Sequence, residues 1–321
     1  MRDVTVEPAV HVRPMTEGDL DEADRVMRLA FGTVRGLPDP ARAFGEAQTV
    51  RTRFRAAPEC AWVAELDGAV VGSVLAARWG SFAFFGPLTV HPEHWDGGIG
   101  SALMGPVMAA LERWDVRQAG LFTPPNSPKH LGLYQKHGFW PRFLTAVLSK
   151  AVAPGFEPAY RCFSDALAAD REALLEEARE LTDAVFAGLD LSREIGAATA
   201  QGIGDTVLLR DADGRLAGLA ACHRGGGSEA DSGVCYVKVG AVRPGEQAAE
   251  RFEQLLGACE GFAREQGLER LTTGVNTGRL DAYRRLLDRG FRTDLLGVSM
   301  RLLPDGPVFD TPVDYVLDDL R

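Results

Sequence analysis

The sequence predicts an α/β fold in which a mixed sheet is flanked by helices, and it predicts that this unit occurs twice. Apolar runs of strand length alternate with longer segments of helical periodicity along the whole chain. The 321 residues suffice for two domains of ordinary size, and a hydrophobic content of 45% suffices for their cores. Val90 and Gly138 lie 48 positions apart, as do Val242 and Gly290, and each pair joins a Val-x-Pro strand end to a Gly-Phe pair.

The first half is predicted to form a strand and two helices before most of its sheet. Asp67-Gly68 is a hairpin turn, since this dipeptide readily adopts the positive φ angles of a tight turn. The predicted strands cover residues 10–14, 60–66, 69–78 and 82–90, and the predicted helices cover residues 17–31, 39–56 and 101–114.

The second half repeats this order. Asp213-Gly214 takes the place of the first turn, and the loop 224–233, RGGGSEADSG, is an insertion that we expect to be mobile. The predicted strands cover residues 234–242 and 271–275, and the predicted helices cover residues 170–186, 191–202, 246–266 and 278–289. A linker rich in Pro and Gly at 151–158 divides the chain into a domain at 1–150 and a domain at 151–321.

The most informative motif is the glycine-rich turn VHPEHWDGGIGS, residues 90–101. It joins a predicted strand to a predicted helix, so it directs several unpaired backbone N–H groups at one point, where the helix dipole adds positive potential. Glycine is needed there because a Cβ would keep an anion at a distance and resist the dihedral angles of the turn. The motif therefore predicts a phosphate site.

Two common phosphate motifs do not fit this turn. A P-loop ends in Gly-Lys followed by Ser or Thr, whereas Ser101 follows Gly100 directly. The dinucleotide fingerprint GxGxxG would begin at Gly98, but Leu103 occupies the position of its third glycine. That fingerprint also belongs at the start of a parallel sheet, whereas several strands precede this turn.

The stretch VHPEHWDGGIGSAL resembles the acyl-CoA pyrophosphate loop of the GNAT superfamily of N-acetyltransferases. In that family a strand ending in Val-x-Pro is followed by Arg/Gln-x-x-Gly-x-Gly/Ala. Gly98 and Gly100 match the two glycine positions, whereas Trp95 stands where Arg or Gln is usual. Asp96 adds a carboxylate beside an anion site, and this like charge lowers the expected affinity.

A second stretch, SPKHLGLYQKHGF at residues 127–139, resembles a later motif of the same family, a helix ending in Leu-Tyr-x-Lys-x-Gly-Phe. Ser127 replaces the usual Asn and can still cap the helix, with Pro128 as its first residue. Gly138 suits the position just after the helix, and Phe139 starts the next strand. The resemblance covers roughly residues 9–150.

The resemblance implies that the first half binds acetyl-CoA and transfers the acetyl group directly to a primary amine in a ternary complex. The strand edge at residues 88–90 would pair with the pantetheine as an added strand would, and Gly86-Pro87 fits a break in that strand. Tyr134 is expected to protonate the departing thiolate, because a pKa of about 10 leaves it protonated at neutral pH. The general base stays unassigned, because the strand 82–90 contains no Asp or Glu. The implied cofactor-binding residues are Leu88, Thr89, Val90, Trp95, Asp96, Gly97, Gly98, Ile99, Gly100, Ser101, Ser127 and Tyr134.

The second half keeps the outline of these motifs without their chemistry. Aligned on Pro244, the two loop glycines become Glu250 and Phe252, a carboxylate and a bulky ring. Aligned on Gly290, the position of the candidate proton donor becomes Leu286. We therefore expect residues 151–321 to form a degenerate GNAT-like domain with a structural role.

Composition excludes several classes of partner. The net charge of −10 argues against nucleic acids and anionic membranes. No apolar run is long enough to cross a membrane, and the N-terminus lacks the core of a signal peptide. The five cysteines are scattered, so we expect reduced thiols in a cytoplasmic protein. We also expect no bound metal, since His91 and His94 have no further His or Cys near them in sequence.

The acceptor is not encoded in a portable motif, so a small-molecule amine and a peptide amine both fit. In the family the helices before the sheet form the floor of the acceptor site, which here points to residues 31–54, with Asp39, Glu46 and Arg51 as candidates. The alternative is a non-catalytic acyl-CoA-binding module, which would have no use for Tyr134. A third hypothesis is an interaction protein in which the degenerate half forms the interface. The tail, residues 304–321, could dock on a partner, but we expect it to cover its own domain. The sequence leaves the oligomeric state open.

Overall fold

The structure is a computed structural model that describes residues 10–153, 159–302 and 309–321. The predicted linker at 151–158 and the predicted tail at 304–321 therefore lie partly outside the described residues. Within the described ranges, thirteen strands form one mixed sheet that carries helices. The predicted α/β class is confirmed.

The first half forms its elements in the predicted order. Asp67 and Gly68 close a hairpin with φ angles of 50° and 81°. Alternate residues of one strand show that helices cover both faces of the sheet, because Val63 packs on the side of the first helix and Ala64 on the side of the third. The strands are β1 (His11–Pro14), β2 (Ala61–Leu66), β3 (Ala69–Trp79), β4 (Phe82–Val90), β5 (Gln118–Thr123) and β6 (Phe139–Ala151), and the helices are α1 (Leu20–Val34), α2 (Thr49–Ala56), α3 (Ile99–Trp114) and α4 (Pro128–Gln135).

The second half repeats the series of strands and helices, as the equal motif spacing predicts. It differs from the first half by an added short strand near the end of the chain. The strands are β7 (Arg161–Cys162), β8 (Gly204–Arg210), β9 (Leu216–Arg224), β10 (Val234–Val242), β11 (Arg270–Asn276), β12 (Arg292–Leu302) and β13 (Val316–Asp318), and the helices are α5 (Arg171–Val185), α6 (Ser192–Ala200), α7 (Ala248–Glu265) and α8 (Leu280–Asp288).

The two halves exchange strands at the centre of the sheet. The strand order is β1-β2-β3-β4-β5-β12-β6-β11-β10-β9-β8-β7. Strand β12 of the second half thus lies between β5 and β6 of the first, and β6 lies between β12 and β11 of the second. The halves therefore share one continuous hydrogen-bonded ladder.

Each half contains a pair of parallel strands that diverge. Strand β4 pairs with β5 only from Phe82 to Phe84, and within the described residues the rest of β4 pairs with no strand on that side. Strand β10 pairs with β11 only from Val234 to Val237. We call the gap between β4 and β5 the first fork and the gap between β10 and β11 the second fork.

The second fork is filled by the chain itself. Strand β13 runs antiparallel to β10, with Val316 opposite Ala241 and Asp318 opposite Val239. The predicted tail residues Tyr315 and Leu317 are buried there, at 8% and 0% exposure. Around Tyr315 and Leu317 the tail therefore covers its own domain, as expected. Phe309 instead stacks on Phe82 of β4, with 4.4 Å between ring centres, so the tail also covers part of the first half.

The predicted helix at 39–56 is wrong in its first half. Only α2 and a short 3-10 turn at Pro40–Arg42 are helical. Phe44 and Gly45 have positive φ angles of 69° and 54°, which a helix cannot accommodate. The guanidinium of Arg28 donates to the carbonyls of Ala43, Gly45 and Ala47, so a cation from α1 holds this segment in an irregular path.

The inserted loop 224–233 is packed against the first half, which corrects the expectation of a mobile loop. Ser228 and Ala230 are buried, at 0% and 3% exposure. The backbone of Glu46 accepts from Gly227 and donates to the carboxylate of Asp231. The polar composition of the loop suggested free movement, but its partners lie far away in sequence.

Candidate cofactor and active site

The glycine turn has the geometry of an anion cradle. Gly98 is the N-cap of α3 and has a φ angle of 79°, and Asp96 also adopts a positive φ of 67°. Among the described residues, nothing accepts a hydrogen bond from the backbone N–H groups of residues 96–101. A Cβ at Gly98 would meet no atom within 4 Å, so the space in front of this residue is open. The turn therefore offers free donors at a helix N-terminus.

The second loop glycine serves packing. A Cβ at Gly100 would lie 3.3 Å from a methyl group of Leu133 on α4 and 3.8 Å from one of Leu88 on β4. Gly100 therefore lets α3 approach both the neighbouring helix and the end of the strand.

Trp95, which stands where Arg or Gln is usual, turns back onto the strand. Its indole Nε1 donates to the carbonyl of Val90 at 2.8 Å. Lys129 of α4 lies over the indole ring, 5.4 Å from its centre, and its ammonium pairs with Asp96 at 2.7 Å. Lys129 thus brings a cation to the loop and offsets the Asp96 carboxylate. Sequence reasoning missed it because it comes from another element.

Helix α4 begins and ends as predicted. The Ser127 hydroxyl accepts from the backbone of His130, and Gly138 follows the helix with a φ of 84°. Tyr134 is 6% exposed and packs edge-on against Phe85, 5.7 Å between ring centres. Burial raises the pKa of Tyr134 above its ordinary value, so the hydroxyl keeps its proton at neutral pH.

The first fork presents a free strand edge next to the loop. The pairing of β3 with β4 is irregular between Phe85 and Leu88, where the Gly86-Pro87 bulge lies. Beyond it, Thr89 is buried with its hydroxyl 3.2 Å from that of Ser73, and Val90 lies opposite Gly72. The edge of residues 88–90 thus leads from the bulge to the glycine turn.

The three acceptor candidates form local contacts. The exposed carboxylate of Asp39 caps the 3-10 turn by accepting from Ala41, and Arg51 pairs with Asp21 at the surface. Glu46 accepts from the hydroxyl of Ser232 in the inserted loop. The structure does not bring these three side chains together.

The side chain that reaches the fork from this region is Arg53, two residues further along α2. Its Nη1 donates to the carbonyl of Gly86 at 2.6 Å. Its Nε and Nη2 donate to one oxygen of Glu229 at 3.0 and 2.5 Å. No motif could have identified Arg53, because its partners come from β4 and from the inserted loop of the other half.

A chain of buried charges continues from this pair into the second half. Lys238 donates to Glu229 at 2.6 Å and pairs with Glu194 at 2.9 Å, and Glu194 accepts from the indole of Trp79 at 3.0 Å. Burial alone would raise the pKa of Glu229, but the adjacent Arg53 and Lys238 outweigh it and hold that pKa well below its usual range. Glu229 is therefore charged at neutral pH and a weak proton acceptor.

The second half replaces the cradle with contacts to its own tail. Phe252 is fully buried and lies 5.2 Å from Tyr315, centre to centre. Arg279 precedes α8 where Ser127 precedes α4, and it is fully buried. Its guanidinium pairs with Asp318 at 2.5 Å and with Asp310 at 3.2 Å, and so ties β13 into the second fork.

Three expected features can be compared with the described part of the chain. No group of three or more His, Cys, Asp or Glu suited to a metal ion occurs there, and His91 and His94 stand on the 3-10 turn before the loop. The five cysteines form no disulfide. None of the described helices combines the length and the apolar character needed to cross a membrane.

Several solved structures have a similar fold along nearly the whole chain. A Pyrococcus horikoshii protein named as an acetyltransferase superposes with a TM-score of 0.67 at 16% identity, over 95% of this chain and 93% of that one. A GCN5-related N-acetyltransferase of Sphaerobacter thermophilus gives a TM-score of 0.59 at 16% identity, covering 91% and 95%. A tandem GNAT protein from the clavulanic acid biosynthesis pathway gives a TM-score of 0.55 at 16% identity, covering 94% and 100%.

The sequence itself matches one family. Residues 30–139 match the acetyltransferase (GNAT) family, and this range includes the glycine turn, the first fork and α4. No curated protein matches the chain.

Proposed function

We propose that this chain is an acetyl-CoA-dependent N-acetyltransferase. The premise is that residues 30–139 form a domain of the GNAT acetyltransferase family in a tandem GNAT fold. Acyl transfer from an acyl-CoA follows from the family. The acetyl group, the primary amine acceptor and the direct transfer in a ternary complex are the parts that we add.

The observation that carries the proposal is an open strand edge beside an open anion cradle. The N–H groups of residues 96–101 point to a site for the pyrophosphate. The edge of residues 88–90 pairs with no strand on the fork side, and apart from the Val90 carbonyl, which accepts from Trp95, it offers hydrogen bonds to the pantetheine amides. Both belong to the same fork. The cofactor set is therefore that of the two sequence motifs, with Lys129 added.

The chemistry requires a held thioester, a polarised carbonyl, a neutral amine and a proton for the thiolate. The bulge at Gly86-Pro87 places irregular backbone where the thioester would lie, so a backbone N–H near Leu88 could polarise its carbonyl. Tyr134 supplies the proton to the thiolate in this proposal, because it is held protonated beside the fork strand. The ion-paired Glu229 is too weak a base to deprotonate the amine, so the base stays unassigned.

Residues 1–150 carry the site in this proposal, and residues 151–321 have a structural role. The contrast between the forks supports this division, because β13 occupies the second fork. The acceptor is a small-molecule or peptide amine.

The test is a calorimetric titration of acetyl-CoA into the full-length protein, followed by a screen of primary amines for CoA release. One site per chain and transfer to an amine are the expected results. Two sites would contradict the assignment of a single working fork. Binding without transfer to any amine would favour the non-catalytic acyl-CoA-binding module, and no binding would exclude both functions.

A further inference from the structure

The bulge of β4 depends on a side chain that the second half holds. Because the bulge breaks the pairing of β3 with β4 and Pro87 has no N–H, the Gly86 carbonyl must find a partner outside the ladder. Arg53 provides it at 2.6 Å. The direction of this carbonyl sets the orientation of the peptide groups that follow it in the fork.

Arg53 has little freedom of its own. Its side chain is 7% exposed, and that of Glu229 is 3% exposed. The guanidinium uses Nη1 for Gly86 and its other donors for the Glu229 carboxylate, so one planar group joins the bulge to the inserted loop. Glu229 is fixed in turn by Lys238 on β10.

Such a network is costly to bury. Ion pairs in a protein interior gain little net stability over well-packed apolar groups, because each charge must leave water. Stability alone therefore gives a weak reason for four buried charges at this junction. One end of this chain of charges contacts the bulge of the first fork through Arg53, and the other end contacts Trp79 through Glu194.

The end of the second half also lies directly beside the first fork. A Cβ at Gly86 would lie 3.8 Å from the carbonyl carbon of Arg321 and 3.9 Å from the carbonyl oxygen of Leu320. These residues follow β13, which occupies the second fork. The same strand thus fills one fork and leads to the bulge of the other.

We propose that the second half completes the active site of the first, with Glu229 and Lys238 acting as positioning residues that hold Arg53 against the Gly86 carbonyl and so set the bulge for polarisation of the thioester. This inference rests on the proposed function. It assigns the degenerate half a part in catalysis without any contact between Glu229 and the cofactor.

The test compares Glu229→Gln with Glu260→Gln in the full-length protein. Glu260 is a matched control, because its half-buried carboxylate accepts from Lys150 at 3.0 Å and Arg289 at 2.7 Å and contacts nothing on β4 among the described residues. The readouts are the ¹³C carbonyl shift of bound [1-¹³C]acetyl-CoA, the affinity for acetyl-CoA, and kcat and KM with the amine found in the screen.

For Glu229→Gln we expect the carbonyl resonance to move toward its position in free acetyl-CoA. We also expect kcat to fall about tenfold or more, with KM and affinity for acetyl-CoA changed less than about twofold. Glu260→Gln should match the wild type in all of these. A wild-type carbonyl shift and kcat in Glu229→Gln, or equal losses in both variants, would overturn the inference and leave the proposed function standing.

A second variant tests the inference in case Glu229→Gln does not fold. Arg53→Lys keeps the charge paired with Glu229 but lacks the planar guanidinium group that reaches both Glu229 and the Gly86 carbonyl. The same displacement of the carbonyl resonance is expected, and a wild-type position would overturn the inference. If the wild type binds no acetyl-CoA, the proposed function and this inference fail together.

Discussion

The two forks of this molecule share a backbone and differ in what lies between their strands. In the first, β4 leaves β5 after Phe84 and its edge remains free. In the second, β10 leaves β11 after Val237 and the gap takes up β13. A peptide strand thus occupies in one half the place that the pantetheine arm would occupy in the other.

The comparison distinguishes the features that the fold requires from those that a cofactor site requires. The divergence of strands occurs in both halves, so it belongs to the fold. The alignment on Pro244 is wrong for the loop glycines, because Glu250 and Phe252 lie inside α7, whose N-cap is Gln247 where α3 has Gly98. Arg279 takes the place of the cap Ser127. A splayed pair of strands is therefore no evidence of catalysis by itself.

The largest effect is expected where the second fork is closed. Arg279→Met would leave Asp318 buried without its cation, whereas Asp310 would keep Arg301 at 2.7 Å, and removing one partner of a buried pair costs about 3–5 kcal/mol. Urea unfolding would measure the loss. Arg210→Met is the control, because its pair with Glu177 is exposed and should cost less than about 1 kcal/mol. Equal small losses would show that the tail is not held by this pair.

Acid should destabilise the second half through His223. Burial lowers the pKa of His223 to about 4, below the ordinary value of 6.5, so the unfolded chain binds more protons between these pH values. The free energy of unfolding should therefore fall as the pH drops from 6.5 to 4, by up to about 3 kcal/mol from this group. His223→Gln should show a shallower slope in thermal unfolding, and an unchanged slope would refute the assignment.

A carboxylate at the N-cap of α3 should abolish the first site. Gly98→Glu places a carboxylate in the cradle, and we expect the Kd for acetyl-CoA to rise at least about 100-fold. Gly98→Ala, which adds only the strain of a left-handed Ala, should cost about tenfold. Calorimetry with both variants checks this, and unchanged affinity in Gly98→Glu would remove the loop from the site. Glu250→Gly should create no second site, since β13 stays in place.

Removing one hydroxyl should separate binding from turnover. Tyr134→Phe should leave the Kd for acetyl-CoA unchanged and lower kcat about 10- to 100-fold, because the thiolate would lose its proton donor. Tyr283→Phe on α8 is the control and should keep full activity. Wild-type turnover in Tyr134→Phe would make Tyr134 a packing residue.

The smallest effect is expected at Lys129, the cation that α4 brings to the glycine turn. Lys129→Gln should raise the Kd for acetyl-CoA about three- to fivefold, and the difference should shrink at high salt because the ammonium is exposed. Asp96→Asn should act in the opposite direction, since it removes a carboxylate beside the phosphates. Titrations at two salt concentrations test both signs, and tighter binding by Lys129→Gln would contradict the role of this cation.

The sequence predicted those parts of the molecule that local patterns specify. The turn at Asp67-Gly68, the bounds of β4 and β10, the capped start of α4 and Gly138 after it all follow from turn chemistry, capping and apolar runs. The equal spacing of the two halves predicted the repeat. These features depend on neighbours within a few residues along the chain.

The features that escaped prediction depend on distant partners. Arg28 breaks the predicted helix at 39–56 through three carbonyls, and Arg53 meets Glu229 across 176 positions. Nothing in the pattern around either residue distinguishes it from a solvated arginine on a helix. The placement of β12 between β5 and β6 is likewise a matter of long-range pairing.

Because of this interleaving, the two halves cannot be separated in the sheet, and they must also be inherited together. A single half, synthesised alone, would have β5 and β6 without the strand that joins them, and both would present open edges. During synthesis the first half must wait until residues 292–302 emerge before its sheet can close, so folding depends on contacts of long sequence separation. The arrangement is that of a strand-exchanged dimer fused into one chain. A second half without chemistry of its own would still be retained, because the first half cannot complete its sheet without it.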